Sequence, residues 1–331
     1  MAVDFDKLFS DISKMKVAVI GDVMLDTYWW GNVERISPEA PVPIVAVDKR
    51  EKRIGGAGNV ALNVQALGSK VALISILGDD EDGVHLKQLL LDNNIDTRFI
   101  LESKKRITTN KIRIISRNQQ MMRLDAEHTE DLDETDETKL QNQIEKYIVS
   151  EKPNVVILED YNKGILTQNI IENTIELCNK NNIPIAVDPK RKNFFSYKNA
   201  TLFKPNLHEV FTSLNLIPEE ISIDSLSEIH NKLRENLNHS ISMITLSDKG
   251  IFYQERNNKK IIPSHRRNIA DVSGAGDTVI AVASLIYAST CDIKLATEIA
   301  NIAGGIVCEE VGTVAVNKEE LLKECKRLIQ I

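Results

Sequence analysis

Short, almost wholly apolar runs alternate with longer amphipathic stretches along most of this chain of 331 residues. Several runs have the length and apolar character of strands that are buried on both faces. They span residues 16–22, 71–78, 155–160, 183–188, 201–204 and 243–246. The stretches between them have the spacing of amphipathic helices and span residues 59–67, 84–93, 135–149, 168–179 and 223–236. This alternation predicts an α/β fold, with a mainly parallel central sheet and helices on both faces.

Two segments lack helical periodicity and interrupt this alternation. Residues 27–47 carry Trp29, Trp30 and three prolines, and residues 108–125 mix polar and apolar residues in an extended pattern. Together they predict a small β-sheet that lies over the end of the main sheet as a lid, formed by parts of residues 23–50 and 98–125. Because no linker or repeat divides the chain, residues 1–331 are predicted to form a single domain.

Charge and composition argue against several classes of function. The net charge of -7 and the lack of a Lys/Arg-rich block argue against binding to nucleic acid. No apolar run is long enough to span a bilayer, and residues 1–15 lack the apolar core of a secretory signal. The four cysteines have no C-x-x-C spacing, so free thiols in a reducing compartment are expected. The sequence therefore predicts a cytoplasmic protein without a nucleic-acid or membrane partner.

The strongest chemical signal is a glycine-rich turn at residues 271–278, which read DVSGAGDT and precede an apolar stretch. Gly274 and Gly276 permit a tight turn, and amide groups at a helix N-terminus converge on an anion. Such a turn suits a transferring phosphoryl group, whose charge spreads over its oxygens. Asp277 is placed to accept the proton of an attacking hydroxyl. From the letters GAGD alone, a structural role for Asp277 as a helix cap is about equally compatible.

The eight-residue context resembles the signature D-[TV]-[TS]-G-A-G-D-x of the ribokinase, or PfkB, family of carbohydrate kinases. This resemblance implies a ribokinase-like fold and ATP-dependent transfer of phosphate to a sugar hydroxyl. It assigns an anion hole to Gly274, Ala275 and Gly276, and the catalytic base to Asp277. It also implies Mg²⁺ as a cofactor and leaves a requirement for a monovalent cation open.

Glycine and acidic residues near the N-terminus resemble the family's sugar site. Residues 55–59 read GGAGN and imply substrate contacts from Gly56 and Asn59. The G-D-x-x-x-D arrangement after the first strand implies another contact from Asp22, while Asp26 is interpreted equally well as a turn residue.

The same glycine segment satisfies a competing pattern. Residues 56–61 match G-x-G-x-x-A, the dinucleotide fingerprint, with Asp79 at a plausible distance downstream. That fingerprint should follow a strand directly, yet the mostly charged residues 48–54 are predicted to separate it from the strand that ends at Val47. This separation disfavours an NAD(P)-dependent oxidoreductase.

Residues 204–209, KPNLHE, end one strand and open a helix, and they resemble the family's N-x-x-E element. The resemblance implies that Asn206 and Glu209 organise Mg²⁺, with Glu209 acting through water. A plain helix cap followed by a first-turn Glu is the structural alternative. The resemblance further assigns to the ATP and Mg²⁺ site Ser247, Gly250, Asp271 and Asn301. No G-x-x-x-x-G-K-[ST] pattern occurs, which argues against a P-loop enzyme.

Three further segments narrow the resemblance. Residues 21–31 (GDVMLDTYWWG), 37–42 (SPEAPV) and 116–120 (SRNQQ) look like the kinase domain of D-glycero-β-D-manno-heptose 7-phosphate kinases. That resemblance implies phosphorylation of the 1-hydroxyl of the heptose 7-phosphate during ADP-heptose synthesis for lipopolysaccharide. These kinases usually carry Ser-Asp-Tyr where this chain begins with Glu159, so this turn departs from their pattern.

The phosphate of such a substrate needs fixed cationic or amide donors. The candidates are Arg113, Arg117, Asn118, Arg123, Lys163 and Lys190. Some of them are expected to be solvated surface cations instead.

Many heptose kinases carry a second, nucleotidyltransferase domain, for which the residues after the last predicted helix, 318–329, leave no room. The chain is therefore expected to make the 1,7-bisphosphate and to leave nucleotide transfer to a separate protein. The apolar face of the lid is expected to pair with a second subunit in a homodimer. A kinase of another sugar or sugar phosphate, the oxidoreductase and a sugar-binding protein without catalysis remain as alternatives.

Overall fold

The computed structural model describes residues 3–117, 119–217 and 220–329. Its strands are β1 (Lys16–Gly21), β2 (Val23–Ile36), β3 (Pro43–Gly56), β4 (Lys70–Gly78), β5 (Ile100–Ser103), β6 (Asn110–Ser116), β7 (Gln119–Ala126), β8 (Val155–Glu159), β9 (Ile185–Asp188), β10 (Leu202–Phe203), β11 (Ile241–Thr245), β12 (Ile251–Glu255) and β13 (Asn258–Ile262). Its helices are α1 (Phe5–Ile12), α2 (Ala57–Ala66), α3 (Glu81–Asp92), α4 (Glu134–Glu151), α5 (Gln168–Lys180), α6 (Leu207–Ser213), α7 (Ile223–Leu237), α8 (Ala275–Thr290), α9 (Ile293–Val307) and α10 (Lys318–Leu328). No described helix has both the length and the apolar character needed to cross a membrane.

Within the described residues, nine strands form a large sheet in the order β13-β12-β11-β10-β9-β8-β1-β4-β5. The strands from β11 to β5 pair in parallel, and β12 and β13 are added antiparallel at one edge. In β1, Val17 and Val19 pack towards α2, α8 and α9, whereas Ala18 and Ile20 pack towards α4, α5 and α7. Burying one aliphatic side chain of this size stabilises the fold by about 1.5–3 kcal/mol. The predicted mainly parallel sheet with helices on both faces is therefore confirmed.

The second sheet has the strand order β3-β2-β6-β7. Strands β2 and β3 form a long antiparallel pair, and β6 pairs parallel to β2. The predicted small sheet is thus present and extends to Gly56 and Ala126, although Ile100–Ser103 belongs to the large sheet. Its role as a lid, and the single-domain organisation, stay predictions. Asp26 lies inside β2, so its interpretation as a turn residue is wrong.

The glycine motif at the start of α2 follows a strand directly, contrary to the prediction. Strand β3 is continuous from Pro43 to Gly56 because its charged residues are tolerated on a largely exposed sheet. The predicted separation between the glycine motif and a preceding strand, which disfavoured a dinucleotide fingerprint, is therefore wrong. However, β3 belongs to the small sheet and β4, after α2, to the large one, so no βαβ unit surrounds the motif. The oxidoreductase hypothesis loses its structural support for this second reason.

Candidate active site

The candidate site lies where neighbouring parallel strands of the large sheet end. In the register of β1, β8 and β9, Gly21 pairs with Glu159, and Glu159 pairs with Asp188. Open parallel sheets bind ligands beyond the carboxyl ends of their strands, where side chains from several strands converge. The N-termini of α2 and α8 meet at the same place, because Asn59 of α2 contacts Asp277 of α8.

The glycine-rich turn forms the N-terminus of α8. Gly274 occupies the cap position with φ +78°, and a Cβ there would lie 2.7 Å from the Asn59 Nδ2 atom. Gly276 has room for a Cβ, whose nearest atom would be Lys204 Nζ at 3.7 Å. The Ala275 N–H donates to the Val272 carbonyl at 3.3 Å. The Lys204 ammonium group therefore lies beside the turn at the N-terminus of α8, a place where helix amide groups can bind an anion.

Asp271 holds this turn in shape. Its Oδ1 atom accepts hydrogen bonds from the N–H and hydroxyl of Ser273, at 3.0 and 2.9 Å. Its Oδ2 atom accepts one from the Gly312 N–H at 2.9 Å. Burial alone would raise the pKa of Asp271, but these hydrogen bonds outweigh it and hold the pKa below its ordinary value. Both carboxylate oxygens of Asp271 therefore accept hydrogen bonds from within the protein. The assignment of Asp271 to the ATP and Mg²⁺ site stays a prediction.

Asp277 is held by two hydrogen bonds from distant parts of the chain. Its Oδ2 accepts from Asn59 Nδ2 at 2.8 Å and its Oδ1 from the Tyr161 hydroxyl at 2.7 Å. Burial raises the pKa of Asp277 to about 6, although both hydrogen bonds favour the carboxylate. Gly274 is the cap residue of α8 and no side chain caps this end, so the interpretation of Asp277 as a helix cap is wrong. A buried carboxylate with this pKa can serve as a general base near neutral pH.

Tyr161 is a functional candidate that the sequence reasoning missed. Burial raises the pKa of Tyr161 well above its ordinary value, so the hydroxyl remains a hydrogen-bond donor. Asn59 was predicted to contact the sugar, but its amide group serves Asp277. Tyr161 comes two residues after Glu159, which ends β8. Its position just beyond the end of a parallel strand is the sequence signal that could have identified it as a site residue.

A network of two carboxylates and two lysines lies beside the turn. Asp188 accepts from Lys204 Nζ at 2.7 Å and from Lys190 Nζ at 3.1 Å, and Lys190 also pairs with Glu209 Oε1 at 3.0 Å. Burial would raise the pKa of Asp188, but the two ammonium groups outweigh it and lower that pKa. Lys190, predicted on the sugar side, therefore serves the network. Lys204 was not predicted, although it lies close enough to the turn to approach a bound phosphate.

Asn206 and Glu209 form a capping box at the start of α6. The Asn206 side chain accepts from the Glu209 N–H, and Glu209 Oε2 accepts from the Asn206 N–H, both at 2.8 Å. The structural alternative is therefore confirmed. Glu209 Oε1 pairs with Lys190, which also contacts Asp188, and the role of Asn206 and Glu209 in organising Mg²⁺ stays a prediction.

On the predicted sugar side, Asp22 is anchored by the backbone. Its carboxylate accepts hydrogen bonds from the N–H groups of Tyr161, Lys163 and Ile165, at 2.7, 3.0 and 3.1 Å. Gly56 has φ +58°, and a Cβ there would lie 2.3 Å from the Asp22 carbonyl oxygen. Asp22 and Gly56 thus fix the two turns against each other, and their contacts with a sugar stay predictions.

Most of the candidate cations already pair with carboxylates. Lys163 pairs with Glu127 at 2.8 Å, and Arg113 pairs with Asp26. Arg123 pairs with the carboxylate of Asp125 at 2.9 Å on β7. These partners hold the three cations in place and compete with a substrate phosphate.

Arg117 lies in the turn between β6 and β7 and forms no ion pair with another described residue. It follows Ser116, which pairs with Gly31, eight residues along β2 from Val23. At about 3.3 Å per residue, Arg117 is roughly 25 Å along the sheet from the start of β2. The structure therefore does not bring Arg117 to the other candidate residues. The predicted contact of Asn118 lies outside the described residues.

The residues predicted to contact the nucleotide lie in turns and on α9. Gly250 has φ +97°, and a Cβ there would lie 2.0 Å from the Ile262 carbonyl oxygen. Ser247 has φ +55° and accepts the Gly250 N–H at 3.2 Å. The Asn301 side chain donates to the Pro263 carbonyl at 2.8 Å. These contacts explain the residues structurally, and their role in nucleotide binding stays a prediction.

Comparisons with known proteins agree with this geometry. Residues 14–320 match the model of the pfkB family carbohydrate kinase. A protein named Bifunctional protein HldE from Sulfurimonas denitrificans is 38% identical over 308 residues, which cover 92% of this chain and 63% of the relative. Bifunctional protein HldE from Helicobacter pylori strain G27 is 40% identical over 308 residues, which cover 92% and 65%. The chain thus spans just under two thirds of the length of these relatives.

Solved structures share the fold. Phosphofructokinase-2 from Escherichia coli in complex with potassium has a TM-score of 0.78 at 18% identity, over 94% of this chain and 97% of the other. Arabidopsis thaliana ribokinase complexed with ribose and ATP has a TM-score of 0.71 at 15% identity, over 94% and 99%. At such identities the likeness shows the ribokinase-like fold alone. With the family model spanning residues 14–320, and Asp277 held at the start of α8, the chain belongs to the PfkB family of carbohydrate kinases and is an ATP-dependent sugar kinase.

Proposed function

We propose that this kinase phosphorylates D-glycero-β-D-manno-heptose 7-phosphate at its 1-hydroxyl, giving the 1,7-bisphosphate for ADP-heptose and lipopolysaccharide core synthesis. The observation that carries the chemistry is the buried Asp277 carboxylate, held by Asn59 and Tyr161 at the first turn of α8. The choice of sugar is supported by the three heptose-kinase-like segments of the sequence and by the relatives named HldE.

In the proposed reaction, Asp277 accepts the proton of the 1-hydroxyl as that oxygen bonds to the γ-phosphorus of ATP. The bond from the γ-phosphorus to the bridging oxygen breaks, and ADP leaves with that oxygen. Amide groups at Gly274 and Gly276, together with the Lys204 ammonium group, stabilise the charge on the transferring group. Mg²⁺ held on the Glu209 side would supply further positive charge to the phosphates.

The substrate phosphate needs a cation, and two residues of the small sheet are the candidates. Arg113 is partly buried and already pairs with Asp26 close to the body of the protein. Arg117 has no ion pair among the described residues but lies far along the small sheet. A contact between Arg117 and the sugar phosphate therefore requires movement of this sheet or a second protomer.

A homodimer through the small sheet belongs to this proposal. Large apolar side chains of this sheet and its connecting loop are exposed to solvent. They are Ile36, Val42, Val47, Met121, Met122 and Leu124. Contiguous exposed apolar surface marks an interaction site, and the proposal requires that these side chains form one such surface. Light scattering of the purified protein tests it: a monomer at micromolar concentration would contradict the dimer.

The proposed substrate is tested by ADP release with heptose 7-phosphate, fructose 6-phosphate and ribose as acceptors. We expect the highest kcat/KM for heptose 7-phosphate. We also expect Arg117→Ala to raise the KM for heptose 7-phosphate with little effect on kcat, because a contact made equally in the ground and transition states is lost. Arg123→Ala is the matched control, since Arg123 is exposed on the same sheet and already paired with Asp125.

The outcomes separate the alternatives. A clear preference for fructose 6-phosphate or ribose would leave the assignment as a kinase intact and would replace the proposed substrate. ADP release that persists at wild-type rate in Asp277→Asn would remove Asp277 from the mechanism. Binding of a sugar without any ADP release would favour the sugar-binding protein without catalysis.

A further inference from the structure

Glu159 is a buried carboxylic acid that the mechanism does not use. It is 0% exposed, and neither of its oxygens has a hydrogen-bond partner among the described residues. Burying a polar group without a partner is costly, and burying a charge without one costs more. Burial, followed by the nearby charges of Asp188 and Asp277, raises the pKa of Glu159 well above its ordinary value. Such an exception needs a physical reason, and a ligand that approaches this carboxyl group would supply one.

The neighbours of Glu159 form an oxygen cluster. Each of Glu159, Asp188 and Asp277 offers one carboxylate oxygen, and these three oxygens lie within 4.8 Å of one another. The strand register produces this proximity, because Glu159 at the end of β8 pairs with Asp188 at the end of β9. Asp277 reaches the same point from the first turn of α8, where Asn59 and Tyr161 hold it.

The formal charges leave this place short of positive charge. Lys190 and Lys204 pair with Asp188, and Lys190 also pairs with Glu209. With Glu159 and Asp277 ionised as well, four carboxylates face two ammonium groups, which leaves a formal charge of −2. One divalent cation would balance it.

We propose that Glu159, Asp188 and Asp277 form a site for a hard divalent cation, such as Mg²⁺ or Mn²⁺, that binds before the nucleotide. This site is centred on Glu159 and does not include Glu209, which contacts it only through Lys190. It does not depend on which sugar the kinase uses.

The geometry is compatible with this ligand. Mg²⁺ takes oxygen ligands at about 2.1 Å and Ca²⁺ at about 2.4 Å, so ligands on opposite sides are about 4.2–4.8 Å apart. The cluster therefore needs only small side-chain movements to close around an ion. Each carboxylate has about four lone-pair sites, so Asp188 and Asp277 can keep their hydrogen bonds while they bind an ion. Waters would complete the shell, as is usual for Mg²⁺.

The test is Mn²⁺ binding to the metal-stripped, nucleotide-free protein, measured from the electron paramagnetic resonance signal of free Mn²⁺. We expect one bound Mn²⁺ per chain, displaced by Mg²⁺. Glu159→Gln keeps the size of the side chain and should weaken binding at least tenfold. Glu255→Gln is the matched control, because Glu255 also ends a strand of the large sheet but accepts a hydrogen bond from Tyr287 at 3.2 Å. This control should bind Mn²⁺ as the wild type does.

A thermal unfolding series gives a second readout. The unfolding midpoint of the wild type should rise with Mn²⁺ because the ion binds only the folded state. That rise should be absent in Glu159→Gln, and Glu159→Ser replaces this variant if the amide does not fold. Absence of Mn²⁺ binding to the wild type at millimolar concentration would overturn the proposal. So would wild-type affinity in Glu159→Gln combined with loss of binding in Glu209→Gln. Failure to phosphorylate the heptose would leave the binding result unchanged, so the two proposals fail separately.

Discussion

Removal of the Tyr161 hydroxyl tests whether Asp277 works as an ionised base. In Tyr161→Phe, the Asp277 carboxylate keeps the Asn59 hydrogen bond at 2.8 Å and loses the Tyr161 one at 2.7 Å. The lost bond favours the ionised form, so its removal raises the pKa of Asp277 above about 6. A hydrogen bond to a charged group contributes about 1.5–3 kcal/mol, which corresponds to a shift of about 1–2 pKa units.

The shift predicts a loss of activity that depends on pH. A base must be ionised to act, so activity is lost as the pH falls through its pKa, and a raised pKa moves this acid limb to higher pH. At pH 6.5 the ionised fraction, and with it kcat/KM, should fall by about three- to twenty-five-fold. At pH 8.5 the variant should recover most of the wild-type value. The assay is coupled ADP release from pH 5.5 to 9 at saturating Mg²⁺ and ATP.

Tyr197→Phe is the matched control for this variant. The Tyr197 hydroxyl is buried, whereas Tyr161 is half-buried, and it donates to Asp160 Oδ2 at 2.8 Å, so each substitution removes one hydrogen bond from a tyrosine to an aspartate. A loss of stability without a change in the pH profile is expected for Tyr197→Phe. If Tyr161→Phe reduces kcat/KM by the same factor at every pH, or has the same acid limb as the wild type, then Tyr161 does not control the ionisation of Asp277.

Three further predictions concern the turn, the metal side and the buried histidines. Gly274→Ala should destabilise the fold by about 1–2 kcal/mol or more, because φ is +78° and the added Cβ would meet the Asn59 side chain. Gly276→Ala should keep the thermal midpoint, because its Cβ has room, but should lose ADP release. Glu209→Gln should raise the Mg²⁺ concentration that gives half-maximal activity, with the ATP concentration held constant. Burial lowers the pKa of His230 to about 4 and that of His239 to about 3. Between these values and pH 6.5 the unfolded state binds more protons than the folded state, so stability falls as the pH drops. Each histidine should lower the free energy of unfolding by about 2 kcal/mol between pH 7.5 and pH 5. Urea unfolding at these two pH values should therefore show a smaller total loss in His239→Gln.

The large sheet could be predicted because its signal is local. Strands such as β8 are buried along their whole length, so an apolar run of four residues, 155–158, identifies this strand without knowledge of its partners. The full length of β3 could not be predicted in this way. Nine of its 14 residues are charged or exposed, and its pairing with β2 is decided by the rest of the small sheet.

In the candidate site, too, the local features could be predicted from the sequence and the long-range contacts could not. Asp277 and Gly274 lie within one short motif, and a motif can be read from the sequence. The hydrogen bonds to Asp277 join residues separated by 218 and 116 positions, and only the fold brings them together. For this reason Asn59 was assigned to the sugar and Tyr161 was missed, although both lie in segments that the sequence identified as important.

The charge balance connects the kinase chemistry with the proposed cation. When all are ionised, Glu159, Asp188, Asp277 and Glu209 exceed the two lysines beside them in formal charge. The phosphates of ATP would bring further negative charge to the same strand ends, where the buried surroundings weaken screening. Binding of the nucleotide must therefore be accompanied by uptake of cations or protons. Because such coupling is reciprocal, a cation held at Glu159 would strengthen nucleotide binding by the same factor by which the nucleotide strengthens its own.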